Sequence, residues 1–553
     1  MLRQVPRSLL LLLLACGSDA ETAPARQPPP VLPTKPTAEQ NAAADRLLEG
    51  PEWYRHAVFY EVFVRSFQDS NGDGKGDLDG LTSRLPYLKD LGIDALWLMP
   101  IHPTPYVDSG YDIADFRGVN PDYGDMAAFE RLIAKAHELE MRVVIDLVLN
   151  HTSSEHEWFK ESRSSKTNPK ADWYVWSDTP SRADLGDCKP DNPRFGNGWT
   201  FDATRGQYYY HRFYPGQPDL DYRNAEVVKE TLDVLRFWLD KGVDGFRADV
   251  IGKLYESPEG CSMLPETIAY IKQMRALLDE KSVDRPRTMV AEPGELQGGG
   301  TDKYYGNGKD MFHMTFEFGY GYFWGLAFAQ RDRRIIDDAV NRMRGYASGA
   351  QPAHVIGSHD VLRAWTSAGN DPLRYRDAAL LQMTMRGTPF IYYGEELALR
   401  PGTQVIVDER DVSRTPMTST REAGHGFTTG TPWIAFGEAP ADTSVEAEDA
   451  DPESMLTYYR QLLAFRRGHA VWGTGDMRLV EFDVRQIAAF TREDDIEGYL
   501  VTVNMSDEPQ EGVTTGEIAK DPKLVFGDGE IAIDGTTVRV KLPARGAAIF
   551  RGK

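Results

Sequence analysis

The sequence predicts an α/β protein built on a (β/α)8 barrel, with a segment inserted after the third strand and an antiparallel β-sandwich domain at the C-terminus. Three observations carry this. From residue 51, short apolar runs alternate with stretches of helical apolar spacing, the pattern of a parallel sheet covered on both faces. The rhythm yields eight strands and is broken once, between 151 and about 219, by a segment rich in Ser, Asp, Asn, Pro and aromatics. Beyond residue 477 strict alternation (YLVTVNM, EIAIDG, TTVRVKL) and the turn residues Gly527-Asp528-Gly529 replace it.

Taken in order, VFYEVFV (58–64) is the first strand and 78–92 the first helix. IDALWLM (93–99) and RVVIDLV (142–148) are strands two and three, with a helix at 126–140 between them. After the insertion come a helix at 225–241, strand four at 243–249, a helix at 265–280 and strand five, TMVAE (288–292). MFHMTF (311–316), AHVIGS (353–358) and PFIYYGE (389–395) complete the eight, and a helix at 454–467 closes the barrel region. The expected organisation is a barrel over 51–150 and 220–470, an inserted domain over 151–219 and a β-domain over 471–553.

The N-terminus lies outside this fold. Arg3 and Arg7 precede Leu9 to Leu14, followed by Ala15, Cys16 and Gly17. A basic start, a short apolar run and a small residue before cysteine form an export signal. The run is too short to cross a bilayer core of ~30 Å. Residues 1–16 resemble a bacterial lipoprotein signal with Cys16 as the lipidated residue, and Ser18 favours the outer membrane; an ordinary secretory signal cut nearby is the alternative. Residues 17–50, with six prolines between 21 and 36, read as a stiff tether. In an exported chain Cys188 and Cys261 invite a disulfide, although sequence leaves open whether they meet.

A net charge of −22, from 62 basic and 84 acidic residues, argues against a nucleic-acid partner and suits a soluble protein with a neutral ligand. Eleven Trp and 25 Tyr fit sugar binding or simply a large core.

In a barrel the chemistry sits at the C-terminal ends of the strands. Those ends carry Asp146, Asn150 and His151 on strand three, Arg247 and Asp249 on strand four, Glu292 on strand five, and His359 and Asp360 on strand seven. Arg247 and Asp249, two apart on a strand, share a face. Carboxylates without a dense His or Cys cluster point to glycoside chemistry. A retaining glycosidase needs two carboxyls ~5–5.5 Å apart, one ionised and one protonated. Arg247 favours an ionised Asp249, and Glu292, on an otherwise apolar strand, is the better proton holder.

DLVLNHTS, GVDGFRADV, MVAEPGE and VIGSHDVLR resemble, in order, the four main conserved regions of the alpha-amylase family, glycoside hydrolase family 13. GDLDG…LWLMP and GTPFIYYGEE resemble two supporting ones, and the likeness covers about 52–470. It implies Asp249 as nucleophile, Glu292 as acid/base and Asp360 as the third carboxylate, with Tyr111, His151, Arg247 and His359 binding or orienting around the sugar. Ser358 departs from the Asn usual before His359.

QPDL (217–220) resembles the oligo-1,6-glucosidase and alpha-glucosidase subgroup, with Asp221 in place of Asn. Val250 after Asp249 resembles enzymes acting on α-1,6 bonds, and Gly252-Lys253 replaces the Lys-His pair of endo-acting amylases. Asp108 and Arg414 resemble the pair that clamps a terminal glucose, although Thr418-Ser419 replaces the Gln-Trp of relatives. In DSNGDGKGD (69–77), Asp69, Asn71, Asp73 and Asp77 offer oxygens at alternate positions between glycines; this suits Ca2+, as in the resembling glucosidases, or an acidic solvated turn.

The resulting expectation is a retaining, exo-acting alpha-glucosidase that releases terminal α-linked glucose from short oligosaccharides. It would be exported, lipid-anchored or secreted, with no nucleic-acid partner. Trehalose synthase or another transglycosylase is the alternative, then an endo-acting amylase. A carbohydrate-binding scaffold is the reading from a different class, and it sits poorly with all three carboxylates being in place.

Overall fold

The computed structural model describes residues 30–552 except 191, 295–299, 347–348, 517 and 519. The signal read at 1–16, with Cys16, lies outside the described residues.

In chain order the strands of the larger part are β1 (Phe59–Val62), β2 (Ala95–Leu98), β3 (Arg142–Leu147), β4 (Trp176–Ser177), β5 (Trp199–Asp202), β6 (Gln207–Tyr210), β7 (Gly245–Ala248), β8 (Thr288–Ala291), β9 (Met314–Phe316), β10 (Gln351–His354) and β11 (Thr388–Tyr392). Eight of them close into a barrel in the order β1-β11-β10-β9-β8-β7-β3-β2, and every pairing around it is parallel. Alternation decides what faces where. Phe59, Trp97, Val144, Val290, Phe316 and Phe390 fill the barrel, with Phe59 stacked on Phe390 at 4.4 Å. Their neighbours Tyr60, Leu96, Leu98, Val143 and Ile145 point outward into the core beneath the helices. Both faces are buried, so the strands are apolar without a visible period in sequence.

The helices Leu78–Leu91, Met126–Glu138, Ala225–Asp240 and Pro372–Thr384 begin on Asp77, Asp125, Asn224 and Asp371, whose side chains accept first-turn N–H groups. Each such cap contributes about 1 kcal/mol. Pro265–Glu280 and Met455–Arg466 complete the helices expected.

Three features depart from the sequence expectation. Helices Phe318–Gln330, Arg334–Arg344 and Pro372–Thr384 were not anticipated; the first, FGYGYFWGLAFAQ, has three glycines and no polar face to give it a helical signature. Strand seven ends at His354, and the rest of AHVIGS runs on irregularly to His359. Within the expected 17–50 tether, Ala38–Glu49 forms a helix opened by a Thr37–Gln40 capping box. The prolines all precede Thr37, so nothing breaks the Ala- and Leu-rich stretch after them. Gln40 Nε2 donates to the Ala464 carbonyl at 2.9 Å and Arg467 Nε to Asn41 Oδ1 at 2.7 Å, docking this helix on the barrel.

The inserted segment carries a helix, Glu157–Ser164, and the antiparallel sheet β4-β6-β5. The C-terminal strands are β12 (Asp476–Leu479), β13 (Ile487–Glu493), β14 (Gly498–Asn504), β15 (Gln510–Thr515), β16 (Lys523–Gly527), β17 (Glu530–Asp534), β18 (Thr537–Leu542) and β19 (Ala547–Arg551). Sheets β12-β13-β14-β19-β16 and β15-β18-β17 enclose Phe482, Ile487, Leu500, Val540 and Phe550.

Candidate active site

β7 brings the first pieces together. Its first residue, Gly245, has φ 151°, and a Cβ there would stand 1.9 Å from the Thr288 carbonyl oxygen of β8, so no other residue fits. Two residues on, Arg247 lies wholly buried under the pocket floor. Its Nη1 donates to Asp146 Oδ1 at 2.8 Å and to Asp249 Oδ1 at 2.6 Å, while Nη2 pairs with Glu292 Oε2 at 2.8 Å. The guanidinium also lies over the rings of Trp97 and Tyr111, 5.0 and 5.6 Å from their centroids. One cation thus organises three carboxyls from three strand ends.

The next turn is strained. Val250 is β-branched, yet it has φ 34° and ψ 35°. That conformation aims its N–H at Glu292 Oε2, 3.0 Å away.

The two carboxyls on Arg247 differ in proton affinity. Burial pushes Asp249 up to about 6, with Arg247 pulling against it. Burial pushes Glu292 further, to about 8, because Arg247 is opposed there by the charges of Asp249 and Asp360. Burial also favours the neutral form of Asp360, but His359, Arg410 and Arg414 outweigh it and hold that carboxyl well below the usual range. Near neutral pH the site therefore presents one ionised carboxylate, one protonated carboxyl and a firmly anionic third group.

Tyr111 and His359 line the same end. Their rings stack at 5.3 Å, and Tyr111 Oη is 2.8 Å from His359 Nε2 and donates to Asp146 Oδ2 at 2.9 Å. His359 Nε2 is 3.3 Å from Asp360 Oδ2. His151 Nε2 sits 3.1 Å from both the Tyr111 carbonyl and Gln217 Nε2, and burial lowers its pKa to about 4, leaving a neutral imidazole.

The arginine reaching Asp108 is not the one expected. Arg410 Nη2 hydrogen-bonds Asp108 and Asp408, and its Nη1 donates to Asp360 Oδ1 at 2.9 Å. Arg414 is fully buried behind this layer, donating to Ser109 Oγ at 2.6 Å and to the His359 carbonyl at 3.1 Å. The short helix Glu409–Ser413 separates the two arginines by one turn and turns Arg410 to the pocket and Arg414 into the core. Gln217 Nε2 donates to Asp108 Oδ2 at 3.1 Å from the opposite side.

These groups face a cavity of about 390 Å3, lined by Asp108, Tyr111, His151, Asp249, Glu292, Asp360 and Arg410 at its floor. Asn192, Arg194, Phe195 and Phe213 of the insertion, with Val250, Pro293, Gly294, Val361 and Glu409, form the walls. Arg194 Nη1 pairs with Glu409 Oε1 at 2.6 Å, joining the insertion to the segment after β11. Sequence reasoning missed Arg410 and, among the wall residues, Asn192, Arg194, Phe195, Phe213 and Glu409. Arg410 did carry a signal, a lone arginine in DERDVS beside the arginine that was chosen. The insertion's wall residues carried none, because they come from irregular backbone.

Cys188 and Cys261 are joined as a disulfide, which resolves the question left open above and ties the insertion to the loop that follows β7.

In loop 69–77 the side chains turn to the backbone. Asp69 accepts N–H groups of Asn71, Gly72 and Gly74, Asn71 accepts that of Asp73, and Asp73 accepts that of Lys75. Asp77 caps a helix and accepts from Ser70 Oγ at 2.8 Å. The all-oxygen donor chemistry suits Ca2+, but among the described residues no three His, Cys, Asp or Glu side chains converge to hold an ion.

Against known proteins, the family description "Alpha amylase, catalytic domain" matches residues 61–475. A probable alpha-glucosidase of Rhizobium meliloti (strain 1021) is 36% identical over 92% of this chain and 99% of its own. A trehalose synthase/amylase, TreS, of Mycolicibacterium smegmatis is 36% identical over 83% of each chain. The crystal structure of the alpha-glucosyl transfer enzyme XgtA superposes with a TM-score of 0.79 at 32% identity, covering 91% of this chain and 99% of that one.

Proposed function

The chain belongs to the alpha-amylase family, glycoside hydrolase family 13, whose enzymes act on glycosidic bonds, and from that premise we propose that it is a retaining, exo-acting alpha-glucosidase releasing terminal α-linked glucose from short oligosaccharides. One observation carries the chemistry: Asp249 and Glu292 sit on a single guanidinium with pKa values near 6 and 8. At neutral pH Asp249 is free to attack the anomeric carbon while Glu292 still holds a proton for the departing oxygen. The attack forms a β-glucosyl ester on Asp249, and the leaving sugar takes the Glu292 proton. Glu292, now ionised, draws a proton from water, whose oxygen attacks the ester and restores the α configuration. Arg247 offsets the charge that remains on the carboxylates throughout. Asp360 and Arg410 would hold the hydroxyls of the bound ring.

The exo mode is supported by Asp108 and Arg410, which meet across the floor of the pocket. A carboxylate and a guanidinium there bind a terminal hydroxyl by charge-assisted hydrogen bonds and leave no passage for a longer chain. The test is Asp249→Asn: the variant should fold as wild type and lose roughly 10⁴-fold or more in turnover. Unchanged turnover would sink the mechanism.

Transfer to a sugar is the second reading, favoured by the 36% identity to a trehalose synthase/amylase and the likeness to an alpha-glucosyl transfer enzyme. It uses the same glucosyl-Asp249 and replaces water by a second sugar hydroxyl. Products from maltose, isomaltose, trehalose, sucrose and maltotriose, resolved by chromatography, separate the two: free glucose supports hydrolysis, and an isomeric disaccharide supports transfer. An endo-acting amylase would instead shorten starch with little free glucose.

Two accompanying proposals concern stability and location. Asp69, Asn71, Asp73 and Asp77 would hold Ca2+ after rotating off their backbone partners; a melting temperature that is the same in Ca2+ and in chelator would dismiss this. Export with lipidation of Cys16 is supported by the leader and by the Cys188–Cys261 disulfide, which belongs to oxidising compartments. A Cys16→Ser variant should leave the membrane fraction.

A further inference from the structure

Glu61 is the third residue of the first barrel strand, β1, and has no part in the steps above. It is 0% exposed. Its Oε1 lies 2.5 Å from His359 Nδ1 and 3.4 Å from His359 N, and His359 is its only side-chain hydrogen-bond partner among the described residues. Oε2 has no hydrogen-bond partner among the described residues. Burial, and then the charge of Glu61, pushes the neighbouring Glu395 carboxyl well up. An ionised carboxylate in such a place is costly unless it is paired. All of its compensation in view comes from His359, through the imidazole and a longer contact from the backbone N–H.

We propose that Glu61 is a positioning residue for the glycosyl-transfer step, fixing the ring plane of His359 and the direction of its Nε2–H. A carboxylate accepts only, so Nδ1 must carry the hydrogen in this bond. Nε2 alone is then left to face the site, between Tyr111 Oη at 2.8 Å and Asp360 Oδ2 at 3.3 Å. The stacked Tyr111–His359 pair, and through it the carboxylate of Asp360, keeps its place only while the ring is held from behind. Without Glu61 the ring is free to turn, which would swing Nε2–H away from Tyr111 Oη and Asp360 Oδ2 and loosen the sugar's hydroxyl contacts. The catalytic consequence rests on the glycosidase reading; the hydrogen bond itself does not.

Two variants and two readouts test this. Glu61→Leu removes the acceptor and should lower kcat about 100-fold with KM changed less than threefold, while Glu61→Gln keeps an acceptor of the same reach and should lose only about 10-fold. In the ¹H spectrum of ¹⁵N-histidine-labelled protein, a far-downfield Nδ1–H of His359, assigned by its loss in His359→Gln, should be present in wild type and absent in Glu61→Leu. Should Glu61→Leu fail to fold, Glu61→Gln carries the test, with the downfield proton shifted upfield and kcat reduced. A kcat within twofold of wild type in both variants overturns the positioning role. A wild-type spectrum without the downfield proton overturns the Nδ1–H to Glu61 bond on which the positioning rests. Wild-type protein inactive on every α-glucoside, but with the proton present and lost in Glu61→Leu, would count against the glycosidase reading while supporting the Glu61–His359 bond.

Discussion

The split between Asp249 and Glu292 predicts a specific pH profile. The perturbation is pH alone, applied to kcat/KM on maltose, whose leaving sugar needs a proton, at constant ionic strength. The competent form has Asp249 ionised and Glu292 protonated. With pKa values of about 6 and about 8, about 80% of the enzyme is competent at pH 7 and about 9% at either pH 5 or pH 9, so kcat/KM should fall about ninefold on each side of a maximum near 7. The acid limb belongs to loss of the nucleophile and the alkaline limb to loss of the acid. Because the two carboxyls share Arg247, the apparent values describe the pair. Glu292→Gln assigns the limbs. On α-glucosyl fluoride, whose leaving group needs no proton, the variant should keep the acid limb and lose the alkaline one. A wild-type profile flat from pH 5 to 9, or an alkaline limb that persists in Glu292→Gln on the fluoride, would refute the reasoning.

Three further outcomes follow from the structure. Arg410→Ala should fold normally and lose about 10²-fold or more in kcat/KM on disaccharides, as expected for loss of a charged contact to bound sugar, whereas Arg414→Ala should be destabilised by about 3–5 kcal/mol in denaturant titrations because it strips a buried charge network; equal stability of the two variants would contradict the assignment. Replacing Cys188 and Cys261 by Ser opens a loop of sequence separation 73, which loop-closure entropy values at about 4 kcal/mol, and should raise KM because Asn192, Arg194 and Phe195 stand just beyond Cys188; chemical denaturation and maltose kinetics check both parts. Burial, then the charge of Glu396, pushes half-buried Glu448 up to about 8, so the folded chain keeps a proton that the unfolded chain releases near its ordinary value. Stability is then lost as pH rises from about 4.5 to about 8, and Glu448→Gln should melt progressively higher than wild type across that window, with no difference at pH 4.

Much of the site was legible because strand periodicity is local. Asp249, Glu292, Asp360, His151, Arg247 and His359 stand where a strand's apolar run gives way to polar residues; the structure brings the carboxyls and His151 to one cavity and sets Arg247 and His359 behind them. Tyr111 and Asp108 were found by motif and line the same cavity. The choice between Arg410 and Arg414 was not legible. The two are four apart, and the helix Glu409–Ser413 decides which one reaches Asp108, 302 residues away in sequence. Glu61 gave no sign at all, since its partner His359 is 298 residues distant.

The sequence by itself determined the barrel, the inserted segment, the β-domain and the strand ends that hold the carboxyls, because apolar spacing within a window of a few residues dictates each element. Only the tertiary structure decided the pairing of Cys188 with Cys261, the cation that serves Asp108, and the separation of the Asp249 and Glu292 proton affinities. Those depend on distances between segments hundreds of residues apart and on how much water the closed barrel leaves around each charge, and neither quantity is written in local order.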